Sequence, residues 1–268
     1  MSAPHNFLPD GWNPVFTREM RRGLLGRWTW IARAGYSTLI AGQLYIVLRL
    51  GVPYLLGEGN FGWAWSQIRD EWPGLAKLHV VLLLLAGAIF GARAFAPERE
   101  QKTLPQLLTT PLPNRSIIGG KLMAALAYTG YAYLLGAPLT LLMMSLFVVT
   151  PAQGFRFLAM EVLLATFAAS WGLFCSMRGF TMRRALGWSV GGIGALIGAE
   201  LIASLLDSTS QATVFALHLL PLSLVPGWTE PGATPSTADA TALAVYALIT
   251  TLLLVVTTAD FKKYATQG

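Results

Sequence analysis

Three histidines, one cysteine and thirteen carboxylates are the side chains of this 268-residue chain that could do chemistry. Their spacing assembles no familiar catalytic set. His5, His79 and His218 stand far apart, and no HExxH, GxSxG or GxxxxGK[ST] pattern is present. His79 and His218 read as structural. Without a phosphate-binding loop the chain cannot hydrolyse ATP by itself, so it is not expected to be an enzyme or to hold a cofactor or metal of its own. Cys175 lies alone in an apolar run, where it can form neither an internal disulfide nor a metal site; it reads as a small buried apolar residue. Two acids do stand out, Glu161 and Glu200, because each falls inside an apolar run. An ionisable group within a membrane span is a functional candidate. Each is expected one or two turns from the outer boundary, on a substrate path or gate, or capping or pairing locally, as Glu161 with Arg156.

The elements that would position these residues are membrane spans. Hydrophobic residues make up 54% of the chain, charged residues only 12%, and mean hydropathy is +0.54. A soluble domain carries about 25% charged residues. A net charge of +6 is assigned to topology and anionic lipid, and nucleic acid is excluded as a partner. Six runs reach the length a bilayer crossing needs, about 20 mostly apolar residues. They are Ala34–Leu56, Leu75–Phe95, Leu122–Val149, Phe157–Met177, Ala185–Leu206 and Thr241–Thr258. Gly57–Gly74 reads as a Trp-rich outer loop, Thr150–Arg156 as a short outer turn, and Pro138 as a kink in the third span. Asp207–Ala240 has no Lys or Arg, and its apolar piece, Ala212–Val225, is short and holds Pro221; it reads as a re-entrant or interfacial hairpin.

Charge fixes the orientation of this layout. Of the 19 Lys and Arg residues, all but Arg49, Arg69, Lys77 and Arg156 fall on one side. By the positive-inside rule that side is cytoplasmic, with both termini. Met1–Trp12 shows no basic stretch leading into an apolar one, so the chain is expected to enter the membrane through its first span and keep its N-terminus. The domains are then a cytoplasmic N-terminus over 1–33, a six-span unit over 34–259 and a cytoplasmic tail over 260–268. Asn13-Pro14 opens an amphipathic basic helix, with Asn as cap and Pro at the first helical position; Phe16, Met20, Leu24, Trp28 and Ile31 share a face suited to the headgroup layer.

The most informative stretch is 98–121, between the second and third spans. Leu104, Leu107, Leu108 and Leu112 recur at helical spacing between charged ends. Thr103 is placed to cap a short helix over Leu104–Thr110, with Pro105 tolerated in its first turn and Pro111 and Pro113 stopping it. Its leucines, flanked by Glu98, Arg99, Glu100, Arg115 and Lys121, read as a plug for a cytoplasmic protein, or as a loop resting on its own protein's inner surface.

At these residues the chain resembles the permease subunits of ABC-2 type transporters. Glu98-Arg99-Glu100, Thr103-Leu104, Leu107-Leu108-Thr109-Thr110-Pro111-Leu112, Arg115, Ile117 and Gly120-Lys121 follow the family pattern in order and spacing. Asn13-Pro14-Val15 and Arg18-Glu19 resemble its amphipathic elbow helix. Lys102 stands where the family usually has Gly, Pro105 where it has Glu, and Ser116 where it has an acid.

The resemblance implies an all-α integral membrane protein: six transmembrane helices, an N-terminal elbow helix and a cytoplasmic coupling helix between spans two and three. It implies a dimer, homo- or heteromeric, of such subunits in a bacterial inner membrane among its lipids. Glu98, Arg99, Glu100, Thr103, Leu104, Leu107, Leu108, Thr109, Pro111, Leu112, Arg115 and Lys121 would meet a separate ATP-binding subunit that holds ATP and Mg. Arg178, Arg183 and Arg184 form a second cytoplasmic contact. Export is favoured over import; the alternative is a membrane subunit that transmits ATPase force to an outer partner with no substrate passing through.

Overall fold

The computed structural model describes residues 13–24, 34–38, 40–42, 44–45, 48–49, 61–109, 112–145, 150–178, 181–205, 221–225 and 237–266. Among these residues there is no strand. The helices are α1 (Pro14–Leu24), α2 (Phe61–Ala92), α3 (Ala96–Glu100), α4 (Leu104–Leu108), α5 (Asn114–Ser145), α6 (Pro151–Arg178), α7 (Met182–Leu205) and α8 (Thr237–Thr266). Among the described residues, four stretches are long and apolar enough to cross a membrane: Trp72–Glu100, Pro151–Arg178, Met182–Ile202 and Asp239–Phe261. The first expected span, Ala34–Leu56, lies mostly outside the described residues, though 34–38 and 40–42 within it are helical. Most of the expected outer hairpin, 207–240, also lies outside them.

Local structure departs from the sequence reading at three helix starts. The expected outer loop Gly57–Gly74 is helical from Phe61 onward, and α2 runs unbroken through Pro73. Packing overrides the proline: Trp72 is buried and meets Phe157 edge-on at 6.1 Å. The expected outer turn Thr150–Arg156 is the first turn of α6. Thr150 Oγ1 accepts from Gln153 N (3.3 Å), while Gln153 Oε1 accepts from Thr150 N (3.1 Å). That is a capping box, with Pro151 at the first helical position. Third, Arg183 and Arg184 sit in the first turn of α7, where Ala185 N donates to Thr181 O, and not in a loop. Helix α5 also continues through Pro138.

The core is the seam between α2 and α6, the most extensive helix contact among the described elements. Between lipid-embedded helices there is no water to expel, so association rests on close van der Waals packing of small residues. Gly87, Ala88, Gly91 and Ala92 supply that face of α2; Ala165, Ala168, Ala169 and Gly172 supply it on α6. A Cβ on Gly172 would come within 2.7 Å of Ala92 N and 2.9 Å of Gly91 Cα, and one on Gly91 within 2.9 Å of Leu173 N. Neither position admits a side chain. Ser189 Oγ of α7 donates to Ala88 O at 2.8 Å, adding the third helix to the seam. The seam runs to the last turn of α2 and so delivers that helix, braced, to the segment that follows.

Candidate functional site

The loop after α2 is a compact double turn built by its own backbone. Ala94 N donates to Gly91 O, ending α2, and Pro97 stands in the first turn of α3, where its missing N–H costs nothing. After Glu100 the chain reverses through Lys102, whose φ of 55° lies in the left-handed region. This is the position where the family usually has glycine, and the backbone supplies the reason. The reversal lets Thr103 N donate back to Glu98 O at 2.8 Å. The Thr103 hydroxyl also turns back to Glu98 O (3.4 Å) and makes no cap bond to α4. The expected Thr103 cap is therefore replaced by a lock between the two short helices. Helix α4 ends at Leu108, two residues earlier than expected, as Thr109 Oγ1 donates to Gln106 O at 2.9 Å.

Two leucines of α4, Leu104 and Leu107, point inward. Leu104 and Leu107 are buried with Val15, Phe95, Ile117, Leu173 and Phe261, and Leu112 packs against the same cluster. They seat the loop on its own protein and do not form an exposed plug. Glu100, Gln101, Lys102, Pro105, Gln106, Thr109 and Arg115 are exposed. All of these but Pro105 are polar. Pro111 and the side chain of Leu108 lie outside the described residues, and Arg99 is partly buried.

Lys121, grouped by sequence with the docking residues, is 2% exposed. Its Nζ donates to Glu98 Oε1 (2.7 Å), to Glu19 Oε1 (3.0 Å) and to the carbonyl of Ala94, using all three ammonium donors. The Phe95 ring lies 5.0 Å from the same nitrogen. One cation thus joins α1, the end of α2, α3 and α5. Around it the N-terminal helix is fastened at two further points. Asn13 caps α1 by accepting from Val15 N (2.9 Å), and its amide donates to Ser116 O (2.6 Å) and Ser116 Oγ (3.0 Å). Tyr128 Oη donates to the carbonyls of Glu19 (2.9 Å) and Met20 (3.1 Å). Gly120 makes room for this joint: a Cβ there would lie 2.8 Å from Asn13 Oδ1 and 2.9 Å from Val15 Cβ. The two motif stretches noted in the sequence, 13–19 and 98–121, meet here in space.

The remaining site candidates lie elsewhere. Arg178 ends α6; its Nε donates to Asp260 Oδ2 of α8 at 3.1 Å and its guanidinium stacks 4.4 Å from Phe174. Arg183 and Arg184 are exposed. Glu161 is fully buried and pairs with His79 Nδ1 at 2.7 Å, not with Arg156. The two lie on facing turns of α2 and α6, with the ring of Tyr133 stacked 6.1 Å from His79 and that of Tyr36 at 6.3 Å. Glu161 is ten residues beyond Pro151, about 15 Å along the helix. Sequence reasoning treated His79 and Glu161 separately; that each interrupts an apolar run was the signal that could have joined them, since a buried charge needs a partner. Glu200 accepts from Leu222 N at 2.9 Å, so its carboxylate holds the 221–225 turn against α7. Among the described residues no group of His, Cys, Asp and Glu is placed to hold a metal.

The described residues thus combine helices long enough to span a membrane with a braced loop and an ionic joint behind it. None of the curated proteins compared with the chain matches it. A family model described as ABC-2 family transporter protein matches residues 14–263, from the first residue of α1 into the last turns of α8. With nearly its whole length inside that match, this multi-pass membrane protein belongs to the ABC-2 family of transporter proteins.

Proposed function

We propose that the chain is the six-span permease subunit of an ABC-2 type exporter, working as a dimer and driven by a separate ATP-binding subunit that supplies ATP and Mg. The observation that carries this reading is the joint at Lys121. It makes α3 and α4, the loop residues, move with α1 and with the beginnings of α5, while the Gly91–Gly172 crossing ties the same loop to α6. A push on the loop therefore reaches four long elements at once. On this reading α1 is the elbow helix and α3–α4 the coupling element, with both on the cytoplasmic side of a bacterial inner membrane. Docking falls to the exposed residues Glu100, Gln101, Lys102, Pro105, Gln106 and Thr109, with Arg183 and Arg184 as the second contact. The apolar residues exposed on α8, Leu248, Leu252 and Val255 among them, support a covered face, by lipid or by a second subunit.

The test is affinity purification of the tagged chain from its native membrane, followed by identification of co-purifying proteins that carry Walker motifs. The wild type should bring an ABC ATP-binding subunit. Lys102→Glu/Gln106→Glu should release it while the permease keeps its melting temperature. A wild type that brings no such ATPase from intact membranes overturns the reading.

A further inference from the structure

A groove of about 460 Å³ opens between α6 and α7 at the end of the molecule that carries the loop. Trp171, Phe174 and Trp188 wall it, Gly187 and Gly191 form its floor, and Arg178 stands at its mouth. The groove is built, not a gap left by loose packing. The Trp171 indole lies against Gly192, where a Cβ would come within 2.7 Å of the ring, and its Nε1 donates to Ser189 O at 3.2 Å. The Phe174 ring is stacked on Trp171 at 5.7 Å, and the Arg178 guanidinium lies 4.4 Å from its centre. By contrast, a Cβ on Gly187 or Gly191 would meet no atom within 4 Å, so the floor faces open space. Trp188 is 55% exposed, and only 22% of the apolar window of α7 is buried, so the groove opens to whatever surrounds the helices.

Charge at the mouth selects the occupant. Arg178 stands there, and among the described residues its acidic partner is Asp260, bonded at Nε alone. A guanidinium has five N–H donors, so the Nη fork of Arg178 keeps its capacity for a bidentate bond to a phosphate. Tryptophan beside arginine at the end of a spanning helix marks the headgroup level. We propose that this groove is a binding site for an anionic phospholipid, its acyl chain lying over Gly187 and Gly191 between the aromatic walls and its phosphate on Arg178. The site is separate from the loop and from the Lys121 joint, and it does not depend on which subunit drives the transporter.

Native mass spectrometry of the purified full chain, with phosphatidylglycerol or phosphatidylcholine of matched acyl chains added, tests it. The wild type should retain one phosphatidylglycerol more tightly than phosphatidylcholine, by about fivefold for each arginine engaged. Arg178→Gln should remove about fivefold of that preference and leave phosphatidylcholine binding as it was. Gly191→Leu, which fills an open floor, should expel both lipids, and Gly187→Leu repeats the test should the first variant fold poorly. Retention of the lipid by both leucine variants, or an unchanged preference in Arg178→Gln, overturns the proposal. So does efficient disulfide cross-linking between copies carrying Gly191→Cys with Cys175→Ser in native membranes, because a second copy then fills the groove.

Discussion

Glu19 and Lys121, 102 residues apart in the chain, meet at 3.0 Å, and the same ammonium holds Glu98 at 2.7 Å. Removing this one cation leaves two carboxylates facing each other without a counter-charge. Lys121→Met should therefore lower stability by about 3–5 kcal/mol, as expected when one member of a buried ionic set is removed. Thermal unfolding in detergent reads this directly. Adding Glu98→Gln to Lys121→Met should cost less than the two single effects summed; strict additivity would mean that the carboxylate and the ammonium do not act together.

The two sides of the loop should separate in mutagenesis. Leu107→Asp buries a charge among Val15, Phe95 and Phe261 and should unseat the loop, lowering the melting temperature as well as ATPase association. Gln106→Glu, on the exposed side, should affect association alone. Equal thermal shifts in the two variants would contradict the inward orientation of the leucines.

Lys102 holds a left-handed φ of 55° that costs a non-glycine residue about 1–2 kcal/mol. Lys102→Gly should recover part of that, offset by the entropy a glycine adds to the unfolded chain. A rise in melting temperature is the expected result, and Lys102→Ala should show none.

Gly91→Leu should abolish folding, because its side chain would enter the backbone of α6 at Ala169 and Leu173. Gly119→Ala, with open space around it, should behave as wild type. Expression and monodispersity of the two proteins decide the point.

The buried His79–Glu161 pair gives a way to ask whether its acid serves transport. Glu161→Leu alone leaves His79 without its partner and should destabilise the fold by about 1–3 kcal/mol; His79→Leu/Glu161→Leu should restore most of it. If the double variant is stable and still supports transport, Glu161 has a structural task only. Lost transport in a stable double variant would place it on the path.

Much of this was legible in sequence, and the misses have physical causes. Asn13, Pro14 and Glu19 marked one motif and Glu98 to Lys121 another, but nothing in spacing says that residues so far apart share one cation. The leucine period located α4 correctly. It could not say which way the leucines face, because a helix between two spans can bury its apolar side on its own protein or on a partner. Trp72 misled for a similar reason: tryptophans at a membrane boundary read as an interfacial loop, whereas this one fills the space beside Phe157 and keeps α2 helical through Pro73. The capping box Thr150–Gln153 was readable from its spacing and was missed in favour of a turn.

The Gly91–Gly172 crossing has a mechanical consequence. With backbones in contact, α2 and α6 form a stiff spar, 56% and 61% of their apolar windows buried, whereas α7 and α8 bury only 22% and 28% of theirs. Among the described residues, α7 and α8 are therefore the less constrained pair. On the proposed reading, force arriving through the loop would swing the spar as one piece, with the give taken where the protein touches lipid or another chain. The fluidity of the surrounding bilayer would then help to set how fast such a machine turns over.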